Sequence, residues 1–186
     1  MSFQTLTDLV DNSITDKNTV HSYLGMYEAL LFRKKDAKQV LEIGAAQGGS
    51  IKLWHDYFPN ATIHAADIDV SACRKNIGEL PRVVYHVGDA YQTTSELLVK
   101  PIKYDFILDD GSHQHRDMCF FLTYYCPLLA DDGVLILEDI PDPKWCEELM
   151  KYVPNEFDVH AYDLREHKGR FDDIFLVVVK KGTKVP

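Results

Sequence analysis

From residue 39 onward, short apolar runs alternate with stretches whose apolar residues recur at helical spacing, the pattern of a parallel sheet joined by crossover helices. Strands are predicted at 39–43, 61–67, 82–87, 104–109, 133–138, 157–163 and 173–180. The helix after the first of these carries Ile51, Trp54 and Phe58 on one face and stops before Pro59-Asn60. A later helix runs from about Gln114, with Met118, Phe121, Leu122, Tyr125 and Leu129 on its apolar face, and ends near Asp131-Asp132-Gly133. The last two runs are joined too closely for a crossover helix, so they are expected to be antiparallel neighbours. Ahead of the sheet, Thr15-Asp16-Lys17-Asn18 offers capping side chains. Val20, Tyr23, Leu24, Tyr27 and Leu31 then fall on one face of a predicted helix. The reading is one doubly wound α/β domain over 1–186, with a mostly parallel seven-stranded sheet and a helical lead-in over 1–35.

The first strand runs into Glu42-Ile43-Gly44-Ala45-Ala46-Gln47-Gly48-Gly49-Ser50 and then into a helix. Glycine lets the backbone turn sharply and a ligand lie against it, while the free N–H groups of the following helix face the same space. The spacing is E-x-G-x-x-x-G, not the G-x-G-x-x-G of nicotinamide and flavin folds.

Ligands of open α/β sheets bind outside the carboxyl ends of the strands, and four of those ends carry acid here. Asp67 ends the second strand, where a carboxylate can accept both hydroxyls of a ribose, while Asp69 with Ser71 reads as the cap of the next helix. Asp89 ends the third. The fourth and fifth strands each run from apolar residues into consecutive carboxylates, Asp109-Asp110-Gly111-Ser112-His113 and Glu138-Asp139. Neighbouring strands lie about 4.8 Å apart, so adjacency of these two would crowd like charges into one spot. Something positive must sit between them, and all-oxygen ligation points to Mg²⁺, with Mn²⁺ or Ca²⁺ as alternatives.

These motifs resemble the class I S-adenosylmethionine-dependent methyltransferases, whose fold has six parallel strands and one antiparallel partner in a Rossmann-like sheet. Asp110-Gly111-Ser112-His113 with Glu138-Asp139 is similar to the metal-dependent sugar O-methyltransferases that act on macrolide antibiotics. Asp16-Lys17 with His21-x-Tyr23 resembles the lead-in of some sugar-modifying members. The resemblance implies S-adenosylmethionine held by Glu42, Gly44, Ala45, Gly48, Ser50, Asp67, Ile68, Asp89, Ala90 and Asp109, with Asp89 at the adenine edge. It implies a divalent ion on Asp110, Glu138 and Asp139, and His113 as the base, with Asp110 beside it. His115 is the substitute base. Catechol-type relatives use lysine in place of this histidine and Asp-Asn after the fifth strand, so the chain departs from them twice.

A net charge of −9 disfavours a nucleic acid or an anionic membrane surface as partner and leaves a small-molecule or glycan acceptor. Oligomerisation is left open. Cys73, Cys119, Cys126 and Cys146 show neither metal spacing nor disulfide density, and residues 1–16 lack a basic start followed by an apolar run. The expected compartment is therefore the cytoplasm. Tyr162, Arg165, His167 and Arg170 are candidates for the rim of the acceptor site. The competing reading is a cofactor-binding protein without turnover.

Overall fold

The computed structural model describes residues 4–186; residues 1–3 of the expected lead-in lie outside them. The strands are β1 (Gln39–Ile43), β2 (Thr62–Asp67), β3 (Val83–Val87), β4 (Tyr104–Asp109), β5 (Leu129–Leu137), β6 (Phe157–Asp163) and β7 (Ile174–Lys180). They form one sheet in the order β3-β2-β1-β4-β5-β7-β6. β7 runs antiparallel to both neighbours, and the β1–β2, β1–β4, β2–β3 and β4–β5 pairs are parallel. The strand order reverses between β1 and β4, the switch point at which such sheets open a crevice.

The helices are α1 (Leu6–Leu9), α2 (Leu24–Leu31), α3 (Gly49–Tyr57), α4 (Ser71–Ile77), α5 (Glu96–Val99), α6 (His115–Tyr125), α7 (Lys144–Leu149) and α8 (Arg165–Lys168). Val40, Ile63, Phe106, Ile136 and Val177 face a core shared with α1 to α4, while Leu41, Ile107, Leu135 and Val178 face one shared with α5 to α7. Both faces are covered, which is why the central strands read as continuous apolar runs. The four cysteines are buried and unpaired. No helix of the described residues is long and apolar enough to cross a membrane.

Two elements differ from the sequence expectation. The lead-in helix begins at Leu24, not at the Thr15-Asp16 cap, and Val20 is 41% exposed. The Asp16 carbonyl accepts the Val20 and His21 N–H groups and Lys17 accepts that of Tyr23, so 15–23 is a chain of turns. Its polar side chains are drawn towards the sheet, which overrides the helical periodicity. The helix after β4 also ends early. Pro127 sits in the first positions of a short 3₁₀ turn over Cys126–Leu128, and the chain is already extended at Leu129.

Candidate active site

The parallel register sets Asp109 beside Ile43 on one side and Leu137 on the other. The next residues out, Gly44, Asp110 and Glu138, therefore meet at one edge. Backbone bonds fix them there: the Asp110 N–H donates to the Ile43 carbonyl at 2.9 Å and the Glu138 N–H to the Asp109 carbonyl at 3.0 Å.

On the β1–β2–β3 side the turn is built from backbone. Gly44 and Gly48 have φ of +95° and +86°, and a Cβ on Gly44 would lie 1.9 Å from the Asp110 carbonyl oxygen. Gly44 is therefore required by both conformation and space. Asp67 braces the turn by accepting the Ala46 N–H at 3.0 Å, and its other oxygen takes the Asp69 N–H at 3.1 Å. Asp69 in turn accepts the Ser71 N–H at the entry to α4, as expected of a cap. A cavity of about 350 Å³ opens over this turn, lined by Gly44, Asp67, Ile68, Asp89, Ala90 and Tyr91 among others. A second, of about 390 Å³, lies across the turn beneath residues 12–16 and includes Ala45, Gly48, Ser50 and Asp110.

Glu42 and Asp109, expected as cofactor contacts, line neither cavity. Glu42 is fully buried and accepts the Ser50 hydroxyl and the Trp54 indole N–H, both at 2.5 Å. Burial pushes its carboxyl up to about 7. Asp109 accepts the Tyr91 hydroxyl at 2.5 Å and the Gly111 N–H at 3.2 Å, and burial raises it likewise to about 7. Both carboxylates brace the floor under the site. Asp89 points its oxygens to the Tyr91 N–H and the Gln92 amide, as a turn residue does.

At the ends of β4 and β5 the side chains dominate. Lys17 is 2% exposed, and its Nζ donates to Asp110 Oδ2 at 2.7 Å and to Glu138 Oε2 at 2.6 Å. Burial alone would lower this lysine, but Asp110, Glu138 and Glu42 hold it well above its ordinary value. Glu138 is pushed up to about 7 by burial even with the lysine beside it, and its Oε1 has no hydrogen-bond partner among the described residues. Asp139 Oδ1 accepts the Tyr23 hydroxyl and lies 3.4 Å from His21 Nδ1. His21 is itself held by Asp173 at 2.7 Å. Burial first, then Asp110, raises the Asp139 carboxyl.

Each outer carboxylate thus gives one oxygen to the lead-in and turns the other inward. Asp110 Oδ1 and Asp139 Oδ2 lie 3.9 and 3.7 Å from His113 Nε2. The three ligand atoms are within 4.8 Å of one another. The two carboxylate oxygens could hold one divalent ion, with His113 beside them. His113 and Asp139 both hold left-handed backbone, φ +53° and +54°, a strain that persists only where the surroundings impose it. His115 points elsewhere, with its ring edge-on to Trp145 and its Nε2 3.4 Å from Glu148.

Three of the expected rim residues are engaged by neighbours: Tyr162 donates to the Pro186 carbonyl, Arg165 pairs with Asp163 and Arg170 pairs with Asp172. The residue that sequence reasoning missed is Lys17. Crowded carboxylates signalled a positive charge and the Asp16-Lys17 lead-in was itself recognisable, but nothing in the sequence joined that lysine to Asp110, 93 residues away.

Residues 41–140 match the family described as a methyltransferase domain. The chain is 32% identical over 144 residues to 8-demethyl-8-alpha-L-rhamnosyl tetracenomycin-C 2'-O-methyltransferase of Streptomyces olivaceus, covering 70% of this chain and 36% of that protein. It is 28% identical over 134 residues to L-olivosyl-oleandolide 3-O-methyltransferase of Streptomyces antibioticus, covering 68% and 34%. It thus spans about a third of the length of these curated relatives. In fold it is similar to the MycE methyltransferase of the mycinamycin biosynthetic pathway, solved in complex with Mg and SAH. The TM-score is 0.75 at 21% identity, over all of this chain and 58% of that one. The strand order with its antiparallel β7, the glycine turn at its switch point and the family match over residues 41–140 agree, and the chain belongs to the methyltransferase-domain family.

Proposed function

We propose that the chain transfers a methyl group from S-adenosylmethionine to a hydroxyl of a sugar, free or within a glycoside, with the acceptor held by a divalent cation, Mg²⁺ first among candidates. The observation that carries this is the inward pair of oxygens on Asp110 and Asp139 beside His113, at the edge of a cavity that Asp110 and Gly44 also line. The names of the two curated relatives, both O-methyltransferases of sugar-bearing compounds, support the acceptor class.

When bound, the sulfonium supplies an already activated methyl group and the cation makes the acceptor hydroxyl more acidic. The turn at Gly44 and the carboxylate of Asp67 hold the nucleoside, and Asp89 and Ala90 border its base. Asp110, Glu138 and Asp139 would hold the cation, each through the oxygen not taken by the lead-in. His113 Nε2 receives the hydroxyl proton as the acceptor oxygen bonds to carbon. Residues 12–16 face the turn across the second cavity. The four buried, unpaired cysteines fit a reducing compartment such as the cytoplasm.

The test is release of S-adenosylhomocysteine from S-adenosylmethionine over a panel of deoxyhexoses, glycosides and catechols, with Mg²⁺ and with EDTA. Sugar-dependent release that EDTA abolishes is expected. Catechols methylated with a much higher kcat/KM than any sugar tested would overturn the acceptor, and full activity in excess EDTA would overturn the cation.

A further inference from the structure

We propose that Phe171, in the connection between β6 and β7, is a platform on which the acceptor ring stacks while its hydroxyl edge meets the cation. The inference rests on the acceptor site proposed above. The connection is pinned to the outer carboxylate. The Tyr23 hydroxyl that donates to Asp139 also reaches the Asp172 carbonyl at 3.3 Å, so the residue after Phe171 stands one hydroxyl away from Asp139. Asp173 holds His21 and the Ser22 N–H at 2.7 and 3.1 Å, and Lys168 donates to the carbonyls of Asn18 and His21. The Leu164 N–H closes the base of the connection on the Asp173 carbonyl at 2.8 Å. Phe171 is thus carried by a braced segment at the edge of the site, yet it is 60% exposed.

A single exposed aromatic is ordinary on a protein surface, and the chain supplies a second for comparison. Phe32 is 52% exposed and has the Arg33 guanidinium 5.4 Å from its ring centroid. It lies at the opposite end of the sheet, where Lys34 pairs with Asp132. What separates Phe171 from Phe32 is place. The Arg170 guanidinium lies 5.2 Å from the Phe171 centroid and is itself paired with Asp172, so the ring is held while most of its surface stays open. A pyranose carries hydroxyls around its edge and C–H groups on its faces. A cation can grip two hydroxyls at the edge, but the ring still pivots about that grip. An aromatic surface beside the cation takes the C–H face and fixes the pivot, which is the usual division of work in a small-molecule site between apolar walls and a few polar groups.

The experiment measures S-adenosylhomocysteine release by wild type, Phe171→Ala, Phe171→Trp and Phe32→Ala across deoxyhexoses, glycosides and catechols. Mn²⁺ affinity by electron paramagnetic resonance adds a readout that needs no turnover. Phe171→Ala is expected to raise acceptor KM by about tenfold with kcat within about threefold, because stacking holds the acceptor equally before and during transfer. Affinity for Mn²⁺ and S-adenosylmethionine should not move. Phe171→Trp should keep KM near wild type, and Phe32→Ala should change nothing. Sugar methylation whose KM ignores Phe171→Ala would overturn the platform and leave the acceptor class standing. An equal rise in KM in Phe32→Ala, or loss of Mn²⁺ affinity in both Phe171 variants, would overturn the platform as well. A catechol preferred over every sugar, with its KM raised by Phe171→Ala, would overturn the sugar and keep the platform. Absence of release from wild type with every acceptor would overturn both.

Discussion

The two sides of the crevice solve the same problem, holding a ligand outside the strand ends, with different materials. On the β1–β2 side the surface is backbone: Gly44, Gly48 and the Ala46 N–H, braced by one side chain, Asp67. On the β4–β5 side the surface is charge: Asp110, Asp139 and His113, with Lys17 as counter-charge and His21 and Tyr23 as polar neighbours from outside the sheet. A backbone cradle works through shape and partial charge and needs no counter-ion. A carboxylate cluster must be neutralised before it can be built, and that requires a distant part of the chain.

This contrast makes the two sides separable by mutation. His113→Ala should show the largest effect, lowering kcat by about 10²-fold to 10⁴-fold while S-adenosylmethionine affinity measured by calorimetry stays unchanged. Loss of activity in His115→Ala in its place would move the base two residues. Gly44→Ala should break the separation. Its Cβ would meet the Asp110 carbonyl at 1.9 Å with φ at +95°, so a change in the backbone cradle strikes the carboxylate side. A loss of about 3 kcal/mol or more in denaturant unfolding is expected, or no soluble protein. Asp67→Ala restores the distinction, weakening S-adenosylmethionine by about 1.5–3 kcal/mol with Mn²⁺ affinity unaltered.

The smallest effect concerns Glu42, which lies under the cradle. Burial raises it from 4.5 to about 7, so between those values the folded state keeps a proton that the unfolded state releases. Its contribution to stability is present below the lower value and is lost as pH rises through the upper one. Glu42→Gln removes that dependence. The gap in unfolding free energy between mutant and wild type should shift in the mutant's favour by about 1–3 kcal/mol from pH 5 to pH 8. A gap that does not move with pH would show that the Glu42 carboxyl keeps the same affinity for its proton folded and unfolded.

How much was legible follows the same division. The apolar runs located all seven strands to within a residue or so, apart from the early start of β5, most plainly for the central strands, which are covered on both faces and so read as apolar runs. The glycine turn and the acidic strand ends were readable because each motif lies within a few consecutive residues. The division of labour among the carboxylates was not. Glu138 and Asp139 are adjacent in sequence, yet one is bonded to Lys17 and the other to Tyr23. Asp109 and Asp110 likewise diverge, one to Tyr91 beneath the edge and one to Lys17 above it.

The sequence by itself determined the sheet, the turn at its switch point and the need for positive charge among the acids, since periodicity, glycine geometry and electrostatic repulsion are local or additive. Only the tertiary structure decided what supplies that charge. Residues 15–23 carry a helical pattern, but one lysine among them bonds the buried Glu138 and the half-buried Asp110, a gain that outweighs the few tenths of a kcal/mol per residue at stake in helix propensity. The segment therefore folds to reach the strand ends, and no spacing along the chain encodes that reach.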